Sequence, residues 1–144
     1  MAGDGSHAPF GDLPVWSEAL ARLARQVSEL GASVVVMGPT PMFDFDVIAN
    51  CLLSVGDPAC GGRRPGLVGQ VQPVLGLLRD TAKGEGNLFV FDPFEVLCPA
   101  DVTECSPALD GIALFRDADH LNAHGAAILS DPFSAFLATN GLLK

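Results

Sequence analysis

Five residues, Ser33-Val-Val-Val-Met37, constrain the fold more than any other part of the chain. The run is continuous and its centre is β-branched, the pattern of a strand buried on both faces; such strands belong to parallel sheets covered by helices. Its flanks agree. Upstream, Trp16, Leu20, Leu23, Val27 and Leu30 recur every three or four residues, which puts them on one face of a helix. Asp12 and Pro14 suit the start of that helix and Gly31 its stop. Downstream, Gly38-Pro-Thr-Pro41 turns the chain out of the sheet.

The alternation continues. Val71, Val74, Leu75 and Leu78 predict a second helix from about Gln70 to Lys83, with Pro73 in its first turn or kinking it. Asn87-Leu-Phe-Val-Phe91 predicts a second strand, stopped by Asp92-Pro93, and Phe94 to Leu97 a single helical turn. A short strand is expected from Ile112 to Phe115, after an Asp110-Gly111 turn. A last helix opens at Asn122, a good N-cap, and runs to Pro132; Phe133 to Leu137 forms one more packed turn. Met42 to Leu53 reads as a loop with a short helix, and Gly56 to Pro65 as a loop. Helices and strands in alternation predict an α/β fold in three layers, α/β/α, around a parallel sheet with the strands near 35 and 89 side by side. The chain has 144 residues, the size of one domain. Residues 1–12, polar and Gly-rich, read as a flexible leader, and residues 13–144 as the domain. In open α/β sheets function collects at the carboxyl ends of the strands, which here means Gly38-Pro-Thr-Pro41 and Asp92-Pro93.

Charge narrows the partners. The formal net charge is −9 and the only basic cluster is Arg63-Arg64, so neither nucleic acid nor an anionic membrane surface is a fitting partner. No apolar run approaches the roughly 18–20 residues that span a bilayer. The four cysteines, Cys51, Cys60, Cys98 and Cys105, form no CxxC pair. Their even number and their two close pairs fit local disulfides in an oxidising compartment, and equally four buried thiols.

The densest chemistry lies in Phe115-Arg-Asp-Ala-Asp-His-Leu-Asn-Ala-His-Gly125. Asp117 and His120 stand three apart, so one tight turn can hold carboxylate and imidazole together. A neutral imidazole takes a proton from a weak nucleophile while the carboxylate fixes its tautomer. Two other readings compete. The segment can be a solvated loop ahead of a helix, where carboxylates are favourable. His120 and His124, four apart, could hold a metal with Asp117 or Asp119, but the Asn122 cap would put His120 outside the helix. No metal and no cofactor is therefore assigned.

Asp117-x-x-His120-Leu121, followed by Gly125 and an apolar helix, resembles the last sequence block of the SGNH hydrolases, α/β serine esterases and acyltransferases. Val34-Val-Val-Met-Gly-Pro-Thr-Pro41, Phe45-Asp-Val47, Cys51-Leu52, Phe91-Asp-Pro93, Leu97-Cys98, Cys105, Asp110-Gly111 and Phe115-Arg-Asp-Ala-Asp-His-Leu121 follow in the order of one branch. That branch is the SGNH domain fused behind the membrane acyltransferase domain of bacterial O-acetylases that modify surface polysaccharide. The resemblance runs from about Trp16 to about Phe136. It implies an SGNH/flavodoxin-like sheet, His120 as general base and Asp117 as its orienting partner. Asp119 is then structural. From its place near the helix start its side chain is expected to point to solvent or bond nearby backbone, and His124, on the first helical turn, is expected to be structural. The resemblance also implies a bond between Cys98 and Cys105, with Cys51 and Cys60 as a second candidate pair.

The chain departs from the pattern at its start. The family's nucleophile lies in an early Gly-Asp-Ser block on a turn after the first strand. Gly3-Asp-Gly-Ser6 has an inserted glycine and no apolar strand before it, so no nucleophile elbow is expected there. No Gly-x-Asn oxyanion block precedes the first helix. The chain thus resembles the later half to two-thirds of an SGNH domain, without the first strand. The implied function is the His/Asp-bearing portion of a serine-type O-acyltransferase or esterase acting on acylated cell-surface glycans. Its implied partners are an acylated or acyl-accepting sugar and a membrane acyltransferase domain, and its place is periplasmic or otherwise extracytoplasmic. By itself the chain is expected to be inactive. The alternative is a non-catalytic SGNH-like module that binds glycan or assists a partner.

Overall fold

The computed structural model describes residues 13–43 and 60–143. In chain order its elements are α1 (Leu13–Glu29), β1 (Val34–Met37), β2 (Gly62–Arg63), α2 (Arg64–Lys83), β3 (Leu88–Phe91), α3 (Pro93–Leu97), β4 (Glu104–Cys105), β5 (Ala108–Leu109), β6 (Ile112–Ala113), α4 (Ala123–Ile128) and α5 (Ser130–Thr139). β1 and β3 pair in parallel, in a register that runs from Val34 opposite Leu88 to Met37 opposite Phe91. α1 lies against α2, and α2 against β3. The fold class is α/β, as the alternation required.

α1 ends as its glycine predicts. Gly31 takes φ +71°, its N–H bonds the carbonyl of Ser28, and Ala32 N–H reaches back to Val27. Those two bonds close a Schellman cap. The buried side of α1 differs from expectation. Fully buried Ala24 lies on it, and the Ser17 hydroxyl meets that of Thr81 on α2 at 2.7 Å. Trp16 is 72 % exposed and Leu30 83 %. Of the predicted stripe, Leu20 and Val27 are half-buried on the side of Ala24, whereas Trp16, Leu23 and Leu30 stand in the open. β1 departs likewise: its valines are half-buried and Met37 is exposed, because β1 is the edge of a sheet with two strands among the described residues.

α2 opens six residues earlier than the periodicity suggested, with Pro65 in the first turn, where a missing N–H costs nothing. The helix continues through Pro73. Leu67, Val71 and Leu75 form its buried side. Pro132 does not end the last helical region; it falls in the first turn of α5, a further helix of ten residues. The strand expected from Ile112 is shorter and antiparallel. β5 and β6 form a hairpin across Asp110 (φ +50°) and Gly111 (φ +78°), the left-handed pair of a two-residue turn.

One core joins α2, α3, the bonded cysteines and the segment that leads into the last helices. Phe43, Leu67, Val71, Phe94, Leu114 and Phe115 pack around Cys98 and Cys105. The Phe43 and Phe115 rings meet edge to face at 5.1 Å. Cys98 and Cys105 are bonded, their Cα atoms 5.1 Å apart. Cys60 is also in a disulfide; the other member of its expected pair, Cys51, lies outside the described residues. Among the described residues no helix is long and apolar enough to cross a membrane.

Candidate active site

The Asp-x-x-His segment is a tight loop closed at its base. Phe115 and Leu121 form an antiparallel bridge, and Arg116 N–H donates to His120 O at 2.9 Å. Phe115 is buried in the core, so the loop starts from a fixed point. Its exit is fixed by Asn122. The Asn122 carboxamide oxygen accepts from the N–H groups of His124 (2.9 Å) and Gly125 (3.0 Å), and its amide nitrogen donates to Ala113 O at 2.7 Å. One side chain therefore caps α4 and ties it to β6. Gly125 permits this approach: a Cβ there would sit 2.2 Å from Leu114 O.

The crown of the loop is held from the other side by the stretch that leaves β1. Phe43 N–H donates to Ala118 O at 2.8 Å, and the Thr40 hydroxyl donates to Asp119 O at 2.9 Å. The loop thus sits beside the carboxyl end of β1, where an α/β sheet places its chemistry.

Within it, Asp117 Oδ1 accepts the backbone N–H of His120 at 2.8 Å and that of Asp119 at 3.3 Å. The same oxygen lies 2.9 Å from His120 Nδ1. Partial desolvation opposes ionisation of this carboxyl group, but the two backbone N–H groups and the imidazole outweigh it and draw its pKa down from 3.8 to about 2. At neutral pH Asp117 is a carboxylate and can only accept, so Nδ1 carries the proton. Nε2 of a neutral ring is then the basic nitrogen. The His120 side chain is 60 % exposed, and Nε2 has no hydrogen-bond partner among the described residues.

The structure brings together Asp117 and His120, and it adds Asp119. Its Oδ1 lies 3.1 Å from His120 Nδ1, which corrects the expectation that this side chain points away. Asp117, Asp119 and His120 each offer an atom within 4.8 Å of the others, the reach of one small cation; His124 is not in that group. His124 is exposed on the first turn of α4. Asp92, at the end of β3, caps α3 through Phe94 N–H and pairs with Arg79 at 2.7 Å, a structural task. Ser106 accepts Ala108 N–H at 3.1 Å and so shapes a turn. Ser6 and Ser54 lie outside the described residues. No serine hydroxyl among the described residues bonds the His120 ring. The grip of Thr40 and of Phe43 N–H was not foreseen: a hydroxyl after a strand and a backbone amide carry no sequence mark of their partners.

A family model described as "SGNH domain (fused to AT3 domains)" matches residues 3–135. No curated protein and no solved structure matches the chain. The matched span holds both strands of the parallel sheet, the bonded cysteine pair and the whole Asp117–His120 loop, and the chain belongs to the SGNH domain family, in the form that is fused to AT3 domains.

Proposed function

We propose that this domain is the His/Asp-bearing portion of a serine-type O-acyltransferase or esterase that acts on acylated cell-surface glycans. The observation that carries the reading is the 2.9 Å contact between Asp117 Oδ1 and His120 Nδ1 in a loop held by buried neighbours, with Nε2 turned away from it. In this reading His120 Nε2 removes the proton from a serine hydroxyl as its oxygen attacks the acyl carbonyl. The imidazolium that forms is stabilised by Asp117, which keeps its own negative charge. The proton then passes from Nε2 to the departing alcohol oxygen, leaving the acyl group on serine. Deacylation repeats the sequence with a sugar hydroxyl or water as the entering group.

The serine and the oxyanion donors come from outside the described residues. The sheet supports one place for them. β1 pairs only with β3 among the described residues, and its carboxyl end leads into Thr40 and Phe43, which hold the site loop. A further parallel strand laid on the free edge of β1 would end beside His120. It would also add to the sheet of a three-layer domain. Bonded Cys98 and Cys105 support an extracytoplasmic setting, next to the membrane acyltransferase domain to which the family's members are fused.

The test is acyl transfer by the native polypeptide that carries this domain, with acylated and unacylated surface glycan as substrates and mass spectrometry of the sugar as readout. Acyl groups gained or lost on the glycan in a His120-dependent way support the reading; glycan left unchanged by both wild type and His120→Ala overturns it. One observation favours a second reading, a non-catalytic glycan-binding or accessory module: no described serine meets the His120 ring. Glycan binding without turnover, unaffected by His120→Ala, is its signature.

A further inference from the structure

Two carboxylates converge on one ring nitrogen. Asp117 Oδ1 lies 2.9 Å from His120 Nδ1 and Asp119 Oδ1 lies 3.1 Å from it. Nδ1 has one proton to give, and Asp117 receives it in the aligned geometry, while Asp119 stands within reach but off the line of the bond. We propose that Asp119 is a second positioning carboxylate for His120, which takes the Nδ1–H bond when Asp117 does not hold it.

Three features carry this. First, the imidazole turns about a broad torsion, so a small rotation exchanges acceptors at little cost. Second, the Asp119 main chain has anchors beyond its bond to Asp117. Asp117 is fixed by the backbone N–H groups of Asp119 and His120. The Asp119 main chain is fixed from another element, through Thr40 Oγ1 on its carbonyl and Phe43 N–H on that of Ala118. Loss of the Asp117 side chain removes the bond to the Asp119 N–H but leaves these two anchors. Third, both acceptors demand the same tautomer. Whichever holds Nδ1–H, Nε2 remains the free basic nitrogen, so the exchange does not switch the base off. The proton between them also offsets the repulsion of two carboxylates held so close.

The consequence for turnover rests on the reading of His120 as a base, but the test does not. The tautomer of His120 is read from its ring 15N resonances in the isolated chain at neutral pH. The variants are Asp117→Ser, Asp119→Ser and the double variant; serine keeps an oxygen for the backbone N–H groups but is too short for the ring. The Nδ1–H form is expected to remain the major species in wild type and in both single variants, and to lose that rank only in the double variant. Asp117→Ser alone falling as far as the double variant overturns the proposal. So does loss of the Nδ1–H form on Asp119→Ser alone, which would make Asp119 the primary partner. Asp119→Ser guards against misfolding of the Asp117 variant, since its side chain supports no backbone group. It is expected to move the wild-type Nδ1 resonance, and an unmoved resonance also sinks the proposal. A failed base reading would appear elsewhere, as turnover that survives His120→Ala while the tautomer pattern stands.

Discussion

Asp117 has one oxygen shared by three donors, and that sharing has a pH signature. Its folded-state pKa of about 2 lies below the ordinary 3.8. A depressed carboxylate contributes stability that is fully present above its unfolded value and is lost as pH falls through its folded value. The loop contribution should therefore be intact above about pH 4 and fade towards pH 2. The 13C resonance of the Asp117 carboxyl, followed against pH, should show a midpoint near 2; a midpoint near 3.8 would mean that the donors are not holding it. Gly125 makes the second residue-scale case. An added Cβ would lie 2.2 Å from a backbone oxygen, and backbone cannot step aside as a flexible side chain does. Gly125→Ala should cost about 1–3 kcal/mol or more in denaturant unfolding, in the range of overpacked sites. A cost below about 0.5 kcal/mol, the level of an indifferent surface change, would show that α4 does not need the close approach.

Elements were legible in proportion to how local their causes are. Gly31 as a stop, Asn122 as a cap and Asp110-Gly111 as a hairpin turn were all readable, because each acts through hydrogen bonds or φ values within a few residues. The start of α2 was misplaced because Gly61, Gly62 and Pro65 suggest a loop, whereas Pro65 is the first-turn residue of a helix whose packing begins at Leu67. The buried side of α1 was misjudged for a different reason: periodicity finds an apolar stripe but not which half of it a neighbour covers. The two halves can be compared by mutation. Trp16→Ala, at an exposed position, should change stability by no more than about 0.5 kcal/mol in the described domain. Ala24→Leu, at a fully buried position, should cost about 1–3 kcal/mol by overpacking. Equal effects in thermal or denaturant unfolding would show that the α1–α2 contact is not the one that holds the helix. In the site, Asp117 and His120 were visible together because they share one turn. Asp119 was misread because its approach depends on the anchoring of its main chain by Thr40, 79 residues away in sequence.

At the scale of the molecule, a disulfide crosses the core that α2 shares with α3 and the approach to the site loop. Cys98 and Cys105 are fully buried among Phe94, Leu114 and Phe115. Closing so short a loop stabilises by about 2–3 kcal/mol in the chain-entropy model. The Cys98→Ala, Cys105→Ala double variant should lose at least that much, and an unchanged unfolding midpoint would contradict the role given to the bond. The same core places Phe115, and through it the Asp117–His120 loop, beside the exit of β1. The central claim is that this arrangement serves a nucleophile as its base. The most direct test is the kcat/KM for acyl-ester cleavage by the native polypeptide that carries the domain, wild type against His120→Ala. A loss on the order of 10³-fold or more, with the unfolding midpoint unchanged, is the predicted result. Full activity in folded His120→Ala would contradict it.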